Sequence, residues 1–506
     1  MRKNNIKKAQ LFKWAQRAVG IVLAVSYIMA LYSVISTDMV PAKYLAFTVP
    51  VSFLIVAVLV IASFKTSKLS RNKRIGIIIA SAIMIVANIY VFSISSNTMS
   101  FLNNIQDDGY TYEQYSIISK KDRHISLVSD NIQNMGIIKN DVNNNSVKTQ
   151  IKNITNPSDN SAKNFADLSS VLSIKSIKST VIKNESRIIY KDYDEITSLT
   201  VALDTKSVDM AIVKSNYLQL LSENYDTFYQ SIEVINTFKI KTGGSVSTTK
   251  TDVSKPFVLY ISGIDTYGDI STVSRSDVNI MVVVNPQTHK ILLVNTPRDY
   301  YVQLHGTTGV RDKLTHAGIY GIDMSVQTMA DLYSVPINYY LRINFSSLTN
   351  IVDVLGGVDV ISEYNFSAGD NKYVVGVNHL NGSQALSFAR ERHSFEAGDR
   401  TRGQNQQRVI EAIIAKMNNP NTLVKYQQIL ASLQRTIQTD MDSDSITTLI
   451  KNQLDNMIKW SVESISVTGA DSHNVTYSMG NLPLYVMEPD ADSLNAAKAK
   501  IQQYIK

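Results

Sequence analysis

The chain has 506 residues, enough for two or three domains, and 44% of them are hydrophobic, enough to build cores. Its charge of +7 is uneven: residues 1–97 hold twelve Lys/Arg and one acid, Asp38, which leaves 38 basic and 42 acidic residues beyond, so no general nucleic-acid groove remains. Having no cysteine excludes Cys-ligated zinc and a thiol nucleophile, and the seven histidines show no metal-ligand spacing.

Three uncharged apolar runs, 18–36, 44–64 and 75–95, each approach the ~20 residues a helix needs to cross a bilayer. Six Lys/Arg precede the first run, and Lys65, Lys68, Arg71, Lys73 and Arg74 separate the second from the third. The loop between the first two carries only Lys43 and Asp38. The positive-inside rule therefore predicts a cytoplasmic N-terminus, three membrane helices within 1–97, and an exterior location for the rest. A large exterior region without cysteine suggests a Gram-positive surface. The basic loop "SFKTSKLSRNKR" sets the topology and is a candidate contact for membrane lipid.

Residues 98–242 read as a small accessory α/β domain. "SLTVAL" is a strand or short helix, "VDMAIVK" a buried strand, and a helix follows with Tyr217, Leu218 and Leu221 on one side. "HISLVSD" and "SRIIYKDY" add strand candidates, and the Asn-rich 140–160 stretch is expected to be a surface loop. No cluster of catalytic residue types appears there, so a spacer or docking role is expected. The polar stretch 243–255 reads as a linker. Residues 256–485 read as a larger mixed α/β domain, with strands "PFVLYISGID", "VNIMVVVN", "ILLVNTPRDY" and "INYYLRINF", and helices at "GIDMSVQTMADLY" and "FSSLTNIVDVLGG". "LPLYVMEPD" leads into a terminal helix within 486–506.

Acids and arginines collect where those strands end: Asp265, Arg275 with Asp277, and Arg298 with Asp299. The densest stretch is "FARERHSFEAGDRTRGQNQQRVI" (388–410), with five arginines and no lysine. Arg390 and Arg392 are two apart and face the same way on an extended segment, with Glu391 opposite. After "GD", a helix with apolar Val409, Ile410, Ile413 and Ile414 places Arg402 and Gln406 on one face. Arginine forks at a helix N-terminus suit a diphosphate. Arg400 and Arg408 fall on other faces and are expected to form surface pairs. Asp265 and Asp277 are candidate ligands for Mg²⁺ (or Mn²⁺), which one or two carboxylates hold together with substrate phosphates.

In these motifs the chain resembles the LytR–CpsA–Psr family of cell-wall glycopolymer transferases. The resemblance covers roughly 245–420 and rests on "YISGIDTYG", "SRSDVNIMVVVNPQTHKILLVNTPRDYYV", "RDKLTHAGIYG", "LNGSQALSFARERH" and "GDRTRGQNQQRVI" in order. Three spans followed by an extra exterior domain resemble the streptococcal capsule-attachment members. The resemblance implies transfer of a polyprenyl-pyrophosphate-linked polysaccharide, capsular in those members, onto peptidoglycan, with polyprenyl phosphate released. It implies catalytic roles for Asp277, Arg298 and Asp299, and metal binding by Asp265 and Asp277. Arg275, Arg298, Lys313, Arg390, Arg392, Arg402 and Gln406 would hold the pyrophosphate. Capsule-assembly membrane proteins are implied partners. Many members carry "DxxRxxRQ", whereas Asn405 stands here in place of the second arginine.

A prenyl tail needs an apolar slot, for which Ile280, Val282, Ile343 and Phe345 are candidates, with ordinary core packing the competing role. The proton acceptor is open between Asp277 and Asp299. Competing functions are a lipid-pyrophosphate phosphatase using water as acceptor, and a membrane-anchored sensor of polysaccharide assembly.

Overall fold

The computed structural model describes residues 2–65, 70–105, 110–125, 127, 133–155, 188–243, 246, 248–265, 270, 272–419, 429, 432–433, 436–456 and 458–506. Three helices, Arg2–Thr37, Ala42–Phe64 and Arg71–Ile105, open the chain. Each contains a stretch long and apolar enough to cross a membrane: Phe12–Thr37, Ala42–Phe64 and Asn72–Leu102. Most of their large apolar side chains face outward, as expected where lipid replaces a protein core. Some polar ones pair between helices, Asn88 with Ser26 at 3.1 Å and Tyr27 with Ser52 at 3.0 Å.

A five-stranded mixed sheet follows, in the order Ile188–Tyr193, Gln133–Ile138, Met210–Lys214, Tyr110–Lys120, Ile232–Gly243. The "VDMAIVK" segment is buried as the strand Met210–Lys214, and "SLTVAL" belongs to the helix Ile196–Asp204. The predicted strand at 124–130 falls largely outside the described residues. The Asn-rich stretch is not wholly a loop, because Asn144–Thr155 is a helix whose Val147, Ile151 and Thr155 bury one face at four-residue spacing.

The larger domain is built on a six-stranded sheet in the order Ile437–Thr439, Tyr339–Ile343, Phe257–Ile264, Ser276–Asn285, Lys290–Asn295, Ser461–Ser466. Phe257–Ile264 and Ser276–Asn285 are antiparallel with Ile264 opposite Ser276, while Ile343 lies beside Gly263 in a parallel pair. One face carries Tyr260, Met281, Val283, Leu292 and Val294 under the helices Ile322–Tyr333 and Ala491–Ile505. The opposite face carries Ile261, Ile280, Val282, Ile291 and Leu293, covered by Ile410 and Ile414 of the helix Asp399–Met417. Residues 248–255, within the predicted linker, run along this sheet. Thr249 N–H donates to the Ile337 carbonyl at 3.0 Å, and Val253 is buried beside Phe257 and Tyr339.

The larger domain is seated on the ends of the membrane helices. Met39, Phe101 and Leu102 enter a core with Val352, Val360, Phe388 and Val409. Lys43 pairs with Asp455 and Lys451 with Asp38, each at 2.7 Å.

Candidate active site

Register brings four strand termini to one end of the six-stranded sheet. Asp265 follows Phe257–Ile264, Arg275 and Asp277 flank the first residue of Ser276–Asn285, Arg298 and Asp299 follow Lys290–Asn295, and Asn344 follows Tyr339–Ile343. Two helices close the space from the other side. The helix Gly382–Arg390 begins at a capping box, Asn381 with Gln384, and ends on Arg390. Gly398, at φ +46°, turns the chain into the helix Asp399–Met417, a backbone conformation that glycine adopts without penalty. A Cβ on Gly403 would lie 2.4 Å from Asn295 Nδ2, so glycine there lets this helix approach the sheet closely.

The cavity, open on one side, has a volume of ≈ 650 Å³. Its polar wall contains Arg275, Arg298, Lys313, Arg390, Arg392, Arg402 and Gln406, with Glu223, Asp265, Asp277 and Asp299. Its apolar wall includes Ile343, Phe345, Leu348, Leu386, Val409 and Ile410. All the predicted pyrophosphate and carboxylate residues are thus brought together. Ile343 and Phe345 line the space, and the Arg390 guanidinium lies 4.2 Å from the Phe345 ring centre. Ile280 and Val282 do not line it; both are buried core on the sheet face under Ile410 and Ile414. Arg390 does not lie on an extended segment, because the preceding capping box makes 382–390 helical; only Glu391 beyond it is extended. Arg392 lines the cavity nonetheless.

The charges are interleaved. Arg298 donates to Asp277 at 3.0 Å, and the Thr315 hydroxyl donates to the same oxygen at 2.8 Å. Lys313 Nζ is 2.9 Å from Asp299, and Arg402 pairs with Asp399 at 2.5 Å. Burial would raise the Asp277 carboxyl, but the charges of Arg298, Arg275 and Arg402 outweigh it and hold the group at about 2. Asp299 is also held low, against its burial, chiefly by Lys313 and Arg298. Asp265 moves the other way, raised by burial and by the charge of Asp277. The buried Nε atoms of Arg275 and Arg298 have no hydrogen-bond acceptor among the described residues. A ligand rich in oxygen acceptors would supply one.

The sequence reading missed Tyr485 and Glu223 at the cavity wall, and Thr315 behind it, where its hydroxyl donates to Asp277. Thr315 lies within the quoted motif "RDKLTHAGIYG". Glu223 had no local signal, because it arrives from the helix Ser215–Asn224 beside the five-stranded sheet. Arg400 and Arg408 lie away from the cavity, paired with Asp471 at 3.7 Å and Glu363 at 2.6 Å. Asn405 is buried and accepts from Arg408 at 2.7 Å, so its side chain is not part of the cavity wall.

The LytR_cpsA_psr family model matches residues 221–500. The chain belongs to the LytR_cpsA_psr family. One family relative, the polyisoprenyl-teichoic acid–peptidoglycan teichoic acid transferase TagU of Bacillus mycoides (strain KBAB4), is 34% identical over 266 residues, 52% of this chain and 84% of the relative. TagU of Enterococcus faecalis (strain ATCC 700802 / V583) is 31% identical over 260 residues, 51% of this chain and 82% of the relative. The crystal structure of B. subtilis TagV aligns at 28% identity over 50% of this chain and 98% of that chain, with a TM-score of 0.43. The span matched by the LytR_cpsA_psr family includes every residue of the cavity wall.

Proposed function

We propose that the chain is a phosphotransferase that moves a polyprenyl-pyrophosphate-linked polysaccharide onto peptidoglycan outside the cell membrane, releasing polyprenyl phosphate. The observation that carries this reading is the charge balance of the cavity. Six cations (Arg275, Arg298, Lys313, Arg390, Arg392, Arg402) line it with four carboxylates (Glu223, Asp265, Asp277, Asp299), and Asp399 pairs with Arg402 behind the wall, so positive charge remains in excess beside an apolar wall. A diphosphate diester with a prenyl tail carries two negative charges and one apolar arm. The basic flanks of the first and third apolar runs support the exterior placement.

In the proposed reaction an acceptor hydroxyl oxygen attacks the phosphorus on the sugar side. A new P–O bond forms, the bond to the bridging oxygen breaks, and the lipid monophosphate leaves with that oxygen. Arginine forks bind the non-bridging oxygens and stabilise the charge that develops during transfer. Arg298, tied to Asp277, is held in place before substrate arrives. The hydroxyl proton passes to a carboxylate of the cavity. Asp277 and Asp299, expected from the sequence to accept it, are held ionised by surrounding cations, which suits them to holding Arg298 and Lys313 in place more than to proton uptake.

The donor set suits Mg²⁺ or Mn²⁺ in one specific way. No group of three His, Cys, Asp or Glu that could hold a metal occurs among the described residues, but Asp265 and Asp277 share the cavity, and the charge of Asp277 makes ionisation of Asp265 more costly. Two hard oxygen donors fit a cation that completes its shell with substrate phosphates and water. When bound, it would neutralise charge on the diphosphate.

The resemblance to capsule-attachment members favours capsular polysaccharide as the cargo, whereas the TagU relatives carry teichoic acid in their name. The test is Arg392→Ala in the native host, which should release polymer from the wall into the medium. Unchanged wall-bound polymer would sink the reading. Recovery of polyprenyl phosphate from the purified protein by mass analysis is the direct complement.

A further inference from the structure

The side chain that enters the cavity from outside the larger domain is Glu223. It occupies the last turn of the helix Ser215–Asn224, packed beside the five-stranded sheet. Its two carboxylate oxygens accept from the two terminal nitrogens of Arg275 at 2.6 and 2.8 Å. This is the fork-to-carboxylate geometry that an arginine also offers to two phosphate oxygens. The two partners differ in access: the side chain of Arg275 is 3% exposed and that of Glu223 42%. The arginine is therefore built into the wall, and the acid covers it from the open side.

Resting on the pyrophosphate reading above, we propose that Glu223 is an internal stand-in for a substrate phosphate, holding the Arg275 fork until a diphosphate displaces it. Three features favour displacement over a permanent pair. The helix backbone is anchored independently of Glu223, since Leu220 and Leu221 are buried, Asn216 donates to the Ile319 carbonyl at 3.4 Å, and Tyr217 meets Tyr320 at 3.3 Å. Only the Glu223 side chain has to rotate for the fork to be freed. A carboxylate in the last turn also faces the negative end of the helix dipole, so the helix itself does not favour it there. Finally, the other cavity carboxylates pair within the larger domain, Asp277 with Arg298, Asp299 with Lys313 and Asp265 with Arg390. Glu223 alone, among the described lining residues, couples the fork to the five-stranded module.

A stand-in competes with ligand, whereas a positioning acid helps it bind, and the two predict opposite signs. The full chain in detergent with Mg²⁺ is titrated with inorganic pyrophosphate by calorimetry, as wild type, Glu223→Gln, Glu223→Ala and Arg392→Ala. Losing a charge-assisted pair that competes with the probe should tighten binding about tenfold in both Glu223 variants. Glu223→Gln preserves side-chain volume and one acceptor, so it guards against a loss of folding in Glu223→Ala. Equal or weaker binding by both variants overturns the stand-in role. Arg392→Ala separates the two failures: if it also leaves binding unchanged, or if wild type does not bind, the cavity is no pyrophosphate site and the inference falls with that reading. If Arg392→Ala weakens binding while the Glu223 variants do not gain, the inference alone fails.

Discussion

Asp277→Asn is the sharpest probe of the site's electrostatics, because it removes a charge while keeping the shape and the acceptor used by Thr315. Two independent routes give the size of the loss. Breaking a buried ion pair costs roughly 3–5 kcal/mol, and the retained Asp299, 3.8 Å from Arg298 Nε, moves the expectation to the lower end. Alternatively, the carboxyl falls from an ordinary 3.8 to about 2, and at roughly 1.36 kcal/mol per unit this corresponds to about 2–3 kcal/mol. The sign follows from the direction. A depressed carboxyl stabilises the fold fully above its unfolded value and loses that contribution as pH falls from about 4 through about 2. Asp277→Asn should therefore cost about 2–3 kcal/mol at neutral pH, and the mutant should show a flatter loss of stability below pH ~4. Urea unfolding of the detergent-solubilised chain can be followed by Trp460, which packs beside the core under the helix Asp399–Met417. Arg298→Met and the double variant complete a cycle. If the two single losses simply add to within about 0.5 kcal/mol, the pair carries no coupling and the account of Asp277 is wrong.

Arg400→Ala and Arg408→Ala should each leave the wall-bound polymer at wild-type level. Arg400 pairs with exposed Asp471, so its loss should cost about 0–1 kcal/mol, whereas losing Arg408 leaves the buried Asn405 oxygen without its donor and should cost about 1–3 kcal/mol, both read by melting. Gly403→Ala should destabilise by about 1–3 kcal/mol and reduce polymer transfer, since a Cβ meets Asn295 at 2.4 Å and pushes back the helix that bears Arg402 and Gln406. Normal transfer by a stably folded Gly403→Ala protein would contradict this. Calorimetry should detect Mg²⁺ binding only when pyrophosphate is present, because two carboxylates leave most of the coordination shell to the ligand, and Asp265→Asn should abolish that binding. Tight binding without pyrophosphate would point to a donor set beyond Asp265 and Asp277.

What was legible in the sequence was local and periodic. The four-residue spacing of Arg402 and Gln406 sufficed to put both on one helix face, and strand-terminal Asp265, Arg275, Asp277, Arg298 and Asp299 do meet at one sheet end. Alternation could show that Ile280 and Val282 share a face with each other, but not which element covers that face. The covering residues, Ile410 and Ile414, lie about 130 positions away and turn the pair into core. Composition misled at 144–155, where asparagines suggest a loop while Val147 and Ile151 carry the helical period. Asn405 illustrates the converse. It stands out as a departure from a family motif, yet its side chain turns to Arg408 and away from the cavity. Glu223 was invisible for a stronger reason, since its place depends on how two sheets dock and no short window encodes that.

The same docking logic ties the anchor to the chemistry. Phe388 and Ala389 immediately precede Arg390, and Val409 lies on the helix that bears Arg402 and Gln406. All three side chains sit in the core that Met39, Phe101 and Leu102 enter from the ends of the membrane helices. Ala389 and Val409 also belong to the cavity wall. One packed unit therefore reaches from the membrane helix ends to the arginines, and close-packed interiors transmit small displacements instead of absorbing them. The cavity's apolar wall is thus continuous with the anchor's own core, and Arg390 and Arg402 are mounted on that same core. The opposite flank, where Glu223 covers Arg275, belongs to the five-stranded module. The cavity thus stands between a wall packed on the ends of the membrane helices and one contributed by the five-stranded module, which is itself packed on the larger domain.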